Sequence, residues 1–379
     1  MSGLEHKLKL AGPKKLLALD GGGIRGALTI EILAGIEAKL RSELGQPGLL
    51  LSDYFDYIAG TSTGAIIAAC LSWGMSTAEV REFYEKNGET MFDEASLLKR
   101  ATVYKYEDRN LAEKLKEIFV EDNGELATLG TKKLGTLLML VMRNADTDSP
   151  WWVSNNPFAK YNLPERRKPP HEDCNLDLPL WRLIRASTAA PVFFPSESIQ
   201  LGKRKFDFVD GGVTPHNNPA FQLFIMATAE AYRLCWPSGE DRMLIVSCGT
   251  GASPDTDVGL LGRHHGYQAT HIPNHLMFAA LNEQDMLCRV FGKCLAGAPL
   301  DREVGNLIGA AGPVSPKLFT YMRYNAILTR DGLDELGQPG IDPEEVRKLD
   351  SVKHIRKLQA IGQAVAAQQV DMMHFKGFL

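Results

Sequence analysis

No segment of this sequence comes near the roughly 18 consecutive apolar residues that a membrane-spanning helix needs. The longest apolar run, Leu134 to Met142, has the length of a buried strand, so a lipid partner has to be met from the membrane surface. Met1 to Pro13 carry Glu5, Lys7 and Lys9 without an apolar core, and no secretory signal peptide is expected. Cysteine is sparse. The six residues at 70, 174, 235, 248, 288 and 294 form no C-x-x-C pair and lack the density of a disulfide scaffold, which predicts reduced, mostly buried thiols in a cytoplasmic protein. Charge of one sign is also missing: 42 Lys and Arg against 46 Asp and Glu leave a formal net charge of −4. No global field therefore favours nucleic acid, and contact with anionic lipid is confined to local patches.

What is present is ordinary globular composition, with 44% hydrophobic and 23% charged residues over 379 positions. That excludes a chain dominated by disorder and allows one large domain or a domain with a second lobe. Lys14 to Asp20 (KKLLALD) is a short apolar run ending at three glycines, and Ala27 to Leu40 repeats apolar residues at helical spacing. Tyr54 to Gly60 followed by Gly64 to Trp73 repeats the strand, loop and helix unit. Leu134 to Arg143, Lys205 to Val209 and Arg242 to Cys248 read as further strands, and their alternation with helices predicts an α/β fold of three layers around a mostly parallel central sheet. Ser76 and Glu79 form a capping-box signal for a helix to about Lys86. Residues 87–130 are more polar and suit a lid, and 144–175 read as a surface excursion. From 253 strand signals fade, and helices are expected over His275 to Phe291 and Pro343 to Gln369, the latter opened by Asp342, Pro343 and Glu345.

Chemistry concentrates in three loops. Gly60-Thr61-Ser62-Thr63-Gly64 fits G-x-S-x-G between an apolar strand and an apolar helix. The turn projects a serine hydroxyl while the helix N-terminus favours developing negative charge. A plain Gly/Ser turn capping a helix satisfies the same residues. Asp20-Gly21-Gly22-Gly23-Ile24-Arg25-Gly26 also joins a strand to a helix, where free amides make an anion nest. Read as G-x-G-x-x-G with Asp53 as a distant acid, it fits a dinucleotide-binding oxidoreductase; read as an oxyanion hole, it serves one reaction together with Ser62. Asp210-Gly211-Gly212 closes an apolar strand and is either a turn or the position of a base. The histidines at 216, 264, 265, 271 and 275 are alternative bases, none with a distinctive flanking motif.

In that order, Asp20 to Gly26, Gly60 to Gly64 and Asp210 to Gly212 resemble the motifs of patatin-like phospholipases. Arg185-Ala-Ser-Thr-Ala-Ala-Pro-Val-Phe-Phe-Pro195 and Val246-Ser-Cys-Gly-Thr-Gly251 resemble further signatures, so the likeness covers about residues 14–252. The resemblance implies a Ser/Asp dyad with Ser62 as nucleophile and Asp210 as proton acceptor. It places Gly60 and Gly64 in the nucleophile elbow. The oxyanion hole falls to Gly21, Gly22, Gly23, Arg25 and Gly26, chiefly through the amides of Gly22 and Gly23. Many family members carry Asp-Gly-Ala where this chain has Asp210-Gly211-Gly212, differing only in alanine at the position of Gly212. No cofactor or metal is implied, and the implied partner is membrane phospholipid, met peripherally at the inner membrane by a homo-oligomer. Length, cytosolic character and the 253–379 extension look most like bacterial phospholipase effectors that a cyclic dinucleotide switches on in antiphage defence. The run Phe319 to Tyr324 (FTYMRY) combines aromatics with Arg323, a composition suited to stacking on a base and pairing with phosphate, so Tyr321, Arg323 and Tyr324 are offered as nucleotide contacts; core packing with one surface arginine satisfies the same residues. A housekeeping lipase, and a binding protein that kept the scaffold, are the other readings.

Weaker signals have plainer explanations. His271-x-x-x-His275 is interrupted by Pro273, and His171, Glu172, Asp173 and Cys174 are consecutive loop residues that rarely converge on one ion. Arg166-Arg167-Lys168, Lys203-Arg204-Lys205, Trp151 and Trp152 suit lipid contact, or solvated charge and packed rings.

Overall fold

Apolar runs that stop at glycine become the inner strands of one sheet. The computed structural model describes residues 3–9, 11–92, 108–191, 194–253 and 265–379. Among them run β1 (Lys14–Leu19), β2 (Tyr57–Thr61), β3 (Leu137–Asn144), β4 (Ser149–Ser154), β5 (Glu197–Leu201), β6 (Arg204–Asp210), β7 (Met243–Cys248), β8 (Lys293–Ala296) and β9 (Thr320–Tyr324). Their order is β5-β6-β3-β2-β1-β7-β9-β8, with β4 paired to β3. The five pairings from β3 through β2, β1, β7 and β9 to β8 are parallel; those of β4 and β6 with β3, and of β5 with β6, are antiparallel.

Alternation along β1 explains the layers. Leu17 and Leu19 join the core on one face, and Leu16 and Ala18 join the core on the other, so an inner strand must be apolar on both sides. The first face is covered by α1 (Gly26–Leu44), α2 (Thr63–Ser72), α3 (Thr77–Phe92), α4 (Asp108–Ile118) and α5 (Leu180–Ser187). The second is covered by α6 (Ala220–Thr228) and the end of α7 (His265–Phe291). Helix α8 (Ile355–Gln369) returns to the first face and packs along α1. This is the expected three-layer α/β arrangement around a mostly parallel sheet.

Four expectations need correction. The region 253–379 is not only helical: β8 and β9 continue the central sheet beyond β7, and strands of 4 and 5 residues leave too little periodicity to read. The helix expected over 343–369 is two, Pro343–Arg347 and α8, because the chain turns extended at Lys348. The excursion at 144–175 contains β4, which folds back on β3 as a hairpin. Helix α7 starts at His265 and runs through Pro273. Of the 87–130 lid, residues 93–107 lie outside the described residues; the later part contributes Leu111, Leu115 and Phe119 to the core. The Ser76 and Glu79 capping box is present, with reciprocal bonds of 2.7 and 3.3 Å.

Candidate active site

Register brings the three loops to one edge. Leu19 lies level with Gly60 on one side and Cys248 on the other, Thr61 is level with Val141, and Met142 is level with Asp210. The residues that follow β1 and β2 therefore meet the end of antiparallel β6 at the carboxyl edge of the parallel strands, where ligands bind in open α/β sheets.

Ser62 sits on the turn from β2 into α2 with φ 55° and ψ −123°, a conformation that costs a non-glycine residue on the order of 1–3 kcal/mol. The turn closes only because its flanks lack side chains. A Cβ on Gly60 would lie 2.0 Å from the Gly64 carbonyl oxygen, and one on Gly64 would lie 2.3 Å from that of Leu19. The Ser62 hydroxyl donates to Asp210 Oδ2 at 2.6 Å, and Asp210 Oδ1 accepts the Gly212 amide at 2.7 Å. Gly211 packs so near Val141 that a Cβ would fall 2.4 Å from its carbonyl oxygen. Burial raises the Asp210 carboxyl from 3.8 to about 6, against the opposing pull of the Ser62 bond, the Gly212 amide and the charge of Arg185. A carboxylate made more basic in this way is a better proton acceptor near neutral pH.

The glycine loop is anchored on all sides. The Gly21 amide donates to the Asn217 carbonyl at 3.1 Å, and the Gly21 carbonyl accepts the Thr250 hydroxyl at 2.8 Å. The Ile24 amide donates to the Leu349 carbonyl, and Arg25 Nη1 to that of Arg347. Arg25 therefore fastens the loop. The amides of Gly22 and Gly23 have no protein acceptor among the described residues. Because a peptide is trans, the Thr250 bond to the Gly21 carbonyl turns the Gly22 N–H to the opposite side. A Cβ on Gly21 would come 3.2 Å from Ser62 Cβ, one on Gly22 would strike Thr250, and one on Gly23, where φ is +59°, would strike Leu349. The loop thus lies against Ser62 and tolerates no side chain. Gly26 meets Thr63 equally closely.

Other candidates fall elsewhere. Tyr321, Arg323 and Tyr324 form β9 and are buried at 0%, 3% and 0% exposure, so none offers a face to a nucleotide. Tyr321 donates to Asp285, Tyr324 bonds His374, and Arg323 pairs with Asp20; in sequence an aromatic core strand looks the same as a stacking surface. Asp53 precedes β2, at the opposite edge of the sheet from the glycine loop, where its carboxylate caps the Leu50 amide. That placement removes the acid from the dinucleotide reading. His216 offers its carbonyl to Thr61 at 2.7 Å, and its ring packs edge-on against Trp152. Burial lowers its ring to about 4, and it bonds neither Ser62 nor Asp210. His264 lies outside the described residues, as do the side chains of His265, His271 and His275. Arg166 and Arg167 pair with Asp173 and Asp177, Trp151 stacks on Phe208, and no metal-like cluster occurs among the described residues.

Sequence reasoning missed the supports. Ser187 accepts the Ser62 amide at 3.0 Å and donates to the Val141 carbonyl at 2.5 Å, while Asn217, Ser247 and Thr250 brace the loops. Ser187, Ser247 and Thr250 lay inside motifs already noted, without a role that residue type alone discloses.

The family model of the patatin-like phospholipases matches residues 17–224, more than half of the chain. The chain belongs to the patatin-like phospholipase family. It is 30% identical over 266 residues to Patatin-like protein 1 of Oryza sativa subsp. indica, covering 63% of this chain and 59% of that one. It is 32% identical over 254 residues to an intracellular phospholipase A2 of Caenorhabditis elegans, covering 65% and 20%. It is also 31% identical over 218 residues to a cGAMP-activated phospholipase of Vibrio cholerae, covering 55% and 56%. The chain thus spans well under two thirds of these relatives. A solved structure of human GIVD cytosolic phospholipase A2 aligns with 96% of this chain and 63% of its own length, at 12% identity and a TM-score of 0.41. Among the described residues no helix is long and apolar enough to cross a membrane.

Proposed function

We propose that this chain is a serine acyl hydrolase that cleaves fatty acyl esters of membrane phospholipids through Ser62 and Asp210. The observation that carries the reading is the 2.6 Å bond from the Ser62 hydroxyl to a buried Asp210 carboxylate, beside two amides without protein acceptors. Ser62 Oγ attacks the ester carbonyl carbon as its proton passes to Asp210. The carbonyl oxygen becomes an oxyanion that accepts the Gly22 and Gly23 amides, each such donor contributing about 3 kcal/mol in the transition state. Collapse breaks the ester bond, and Asp210 returns the proton to the departing alcohol. Water then attacks the acyl-serine as Asp210 takes its proton, collapse breaks the acyl–Oγ bond while Asp210 returns that proton to Ser62 Oγ, and the fatty acid leaves. The elbow holds the hydroxyl in place in advance, so its backbone strain serves alignment.

Family membership supports a lipid ester as substrate; peripheral contact with the membrane from the cytoplasm, by a homo-oligomer, is proposed with it. The relative named as a cGAMP-activated phospholipase supports a finer proposal, that a cyclic dinucleotide switches the enzyme on, with the nucleotide bound outside the buried β9 strand; a role in antiphage defence is part of the same proposal. A fluorophosphonate probe should label the wild type and leave Ser62→Ala unlabelled, and phospholipid vesicles should release fatty acid only with the wild type. An inert, folded wild type in both assays refutes the hydrolase. Equal vesicle hydrolysis with and without a cyclic dinucleotide panel refutes the switch and leaves a housekeeping lipase.

A further inference from the structure

Asp20, the residue just before the glycine loop, has no access to solvent, and its only salt-bridge partner among the described residues comes from the last part of the chain. Arg323 on β9 donates Nη1 to Asp20 Oδ1 at 2.8 Å and Nη2 to Oδ2 at 2.5 Å, with side chains 2% and 0% exposed. The same Nη1 donates to the Ser247 hydroxyl at 2.7 Å, and Ser247 donates onward to Asn218 Oδ1 at 3.3 Å. Asn218 follows the two residues whose carbonyls hold the elbow and the loop: His216 accepts the Thr61 hydroxyl, and Asn217 accepts the Gly21 amide. One guanidinium thus joins the base of the glycine loop to the segment that leaves Asp210.

A fully buried ion pair is a poor source of stability, since removing two charges from water costs about as much as their attraction returns. Its planar fork, by contrast, fixes direction as well as distance. We propose that Arg323 is a positioning residue for the glycine loop, setting the aim of the Gly22 and Gly23 amides, and that residues beyond the matched 17–224 span therefore belong to the catalytic machinery. The inference rests on the hydrolase reading, with Gly22 and Gly23 as the oxyanion donors. The loop's other C-terminal ties agree with it, since Ile24 and Arg25 are held by the carbonyls of Leu349 and Arg347.

The test compares wild type, Arg323→Lys, and the double variant Asp20→Leu with Arg323→Met. The readouts are kcat and KM on a soluble ester, fluorophosphonate labelling rate and Tm. Lysine keeps the charge but not the fork, so a folded Arg323→Lys should lose about 10- to 100-fold in kcat and labelling rate with KM within about 2-fold. The double variant replaces the pair with apolar side chains and should recover most of the Tm without recovering kcat. Wild-type kcat in a folded Arg323→Lys overturns the proposal, as does a double variant with wild-type kcat. Should the double variant fail to fold, the lysine variant alone decides. A wild type that neither turns over nor labels refutes the hydrolase instead, so the two failures are distinct.

Discussion

Replacing Asp210 with Asn should abolish turnover and make the protein more stable, and the size of the gain follows from the environment of the carboxyl. Burial holds its pKa at about 6 in the folded state, against an ordinary value of 3.8. Such a group binds its proton more tightly when folded than when unfolded, so wild-type stability falls as pH rises from 3.8 through 6 and stays lowered above that. The gap corresponds to about 3 kcal/mol. Asparagine is neutral throughout and escapes that cost, and its carbonyl can still accept the Gly212 amide. At about 2.1 cal/mol/K of unfolding entropy per residue, a 379-residue chain should gain about 4 °C in Tm. Scanning fluorimetry of both proteins from pH 4 to pH 8 should find nearly the full difference above pH 6.5 and about a fifth of it at pH 4. A variant no more stable than wild type at pH 7.5, or equally more stable at both ends, would refute the reasoning. Catalysis should run the opposite way, with wild-type kcat/KM half-maximal near pH 6 and about one tenth of maximal at pH 5.

Further predictions follow from the same geometry. Arg185→Gln removes a positive charge that opposes the raised pKa of Asp210, so the acid limb of the kcat/KM profile should move to higher pH; an unmoved limb counts against the assignment of base. His216→Ala should keep most of the activity, because the ring is neutral above about pH 4 and bonds neither Ser62 nor Asp210; a folded variant as dead as Ser62→Ala would require a triad. Gly22→Val drives a side chain into Thr250 and should lower kcat at least 10-fold while changing KM little, measured on a soluble ester; unchanged turnover would move the oxyanion hole elsewhere.

The loops were legible in the sequence because their chemistry is local. A serine between two glycines, three glycines after an apolar run, and Asp-Gly-Gly at a strand end each state a backbone requirement within a few residues. The parallel sheet was legible for a similar reason, since strands such as Leu16 to Leu19, covered on both faces, must be apolar without a break. What failed to show was whatever depends on distant partners. Arg323 lies between Met322 and Tyr324 and resembles a ligand-binding run until Asp20 is seen beside it. Strands β8 and β9 are brief, and β9 is recognisable as part of the sheet only through its pairing with β7. Ser187 and Thr250 look like ordinary hydroxyl residues until the backbone groups they hold are known.

The Asp20 to Arg323 pair also bears on how the protein is made. Its members are 303 residues apart, and at about 5–20 residues per second a ribosome needs roughly 15–60 s to travel from one to the other. Through that interval the elbow and the glycine loop have left the ribosome while the guanidinium that aims the amides has yet to be synthesised. On the proposed role of Arg323, an unfinished chain carries Ser62 before the guanidinium that would aim the glycine loop exists, so ester hydrolysis is expected to begin only once β9 has been made and paired.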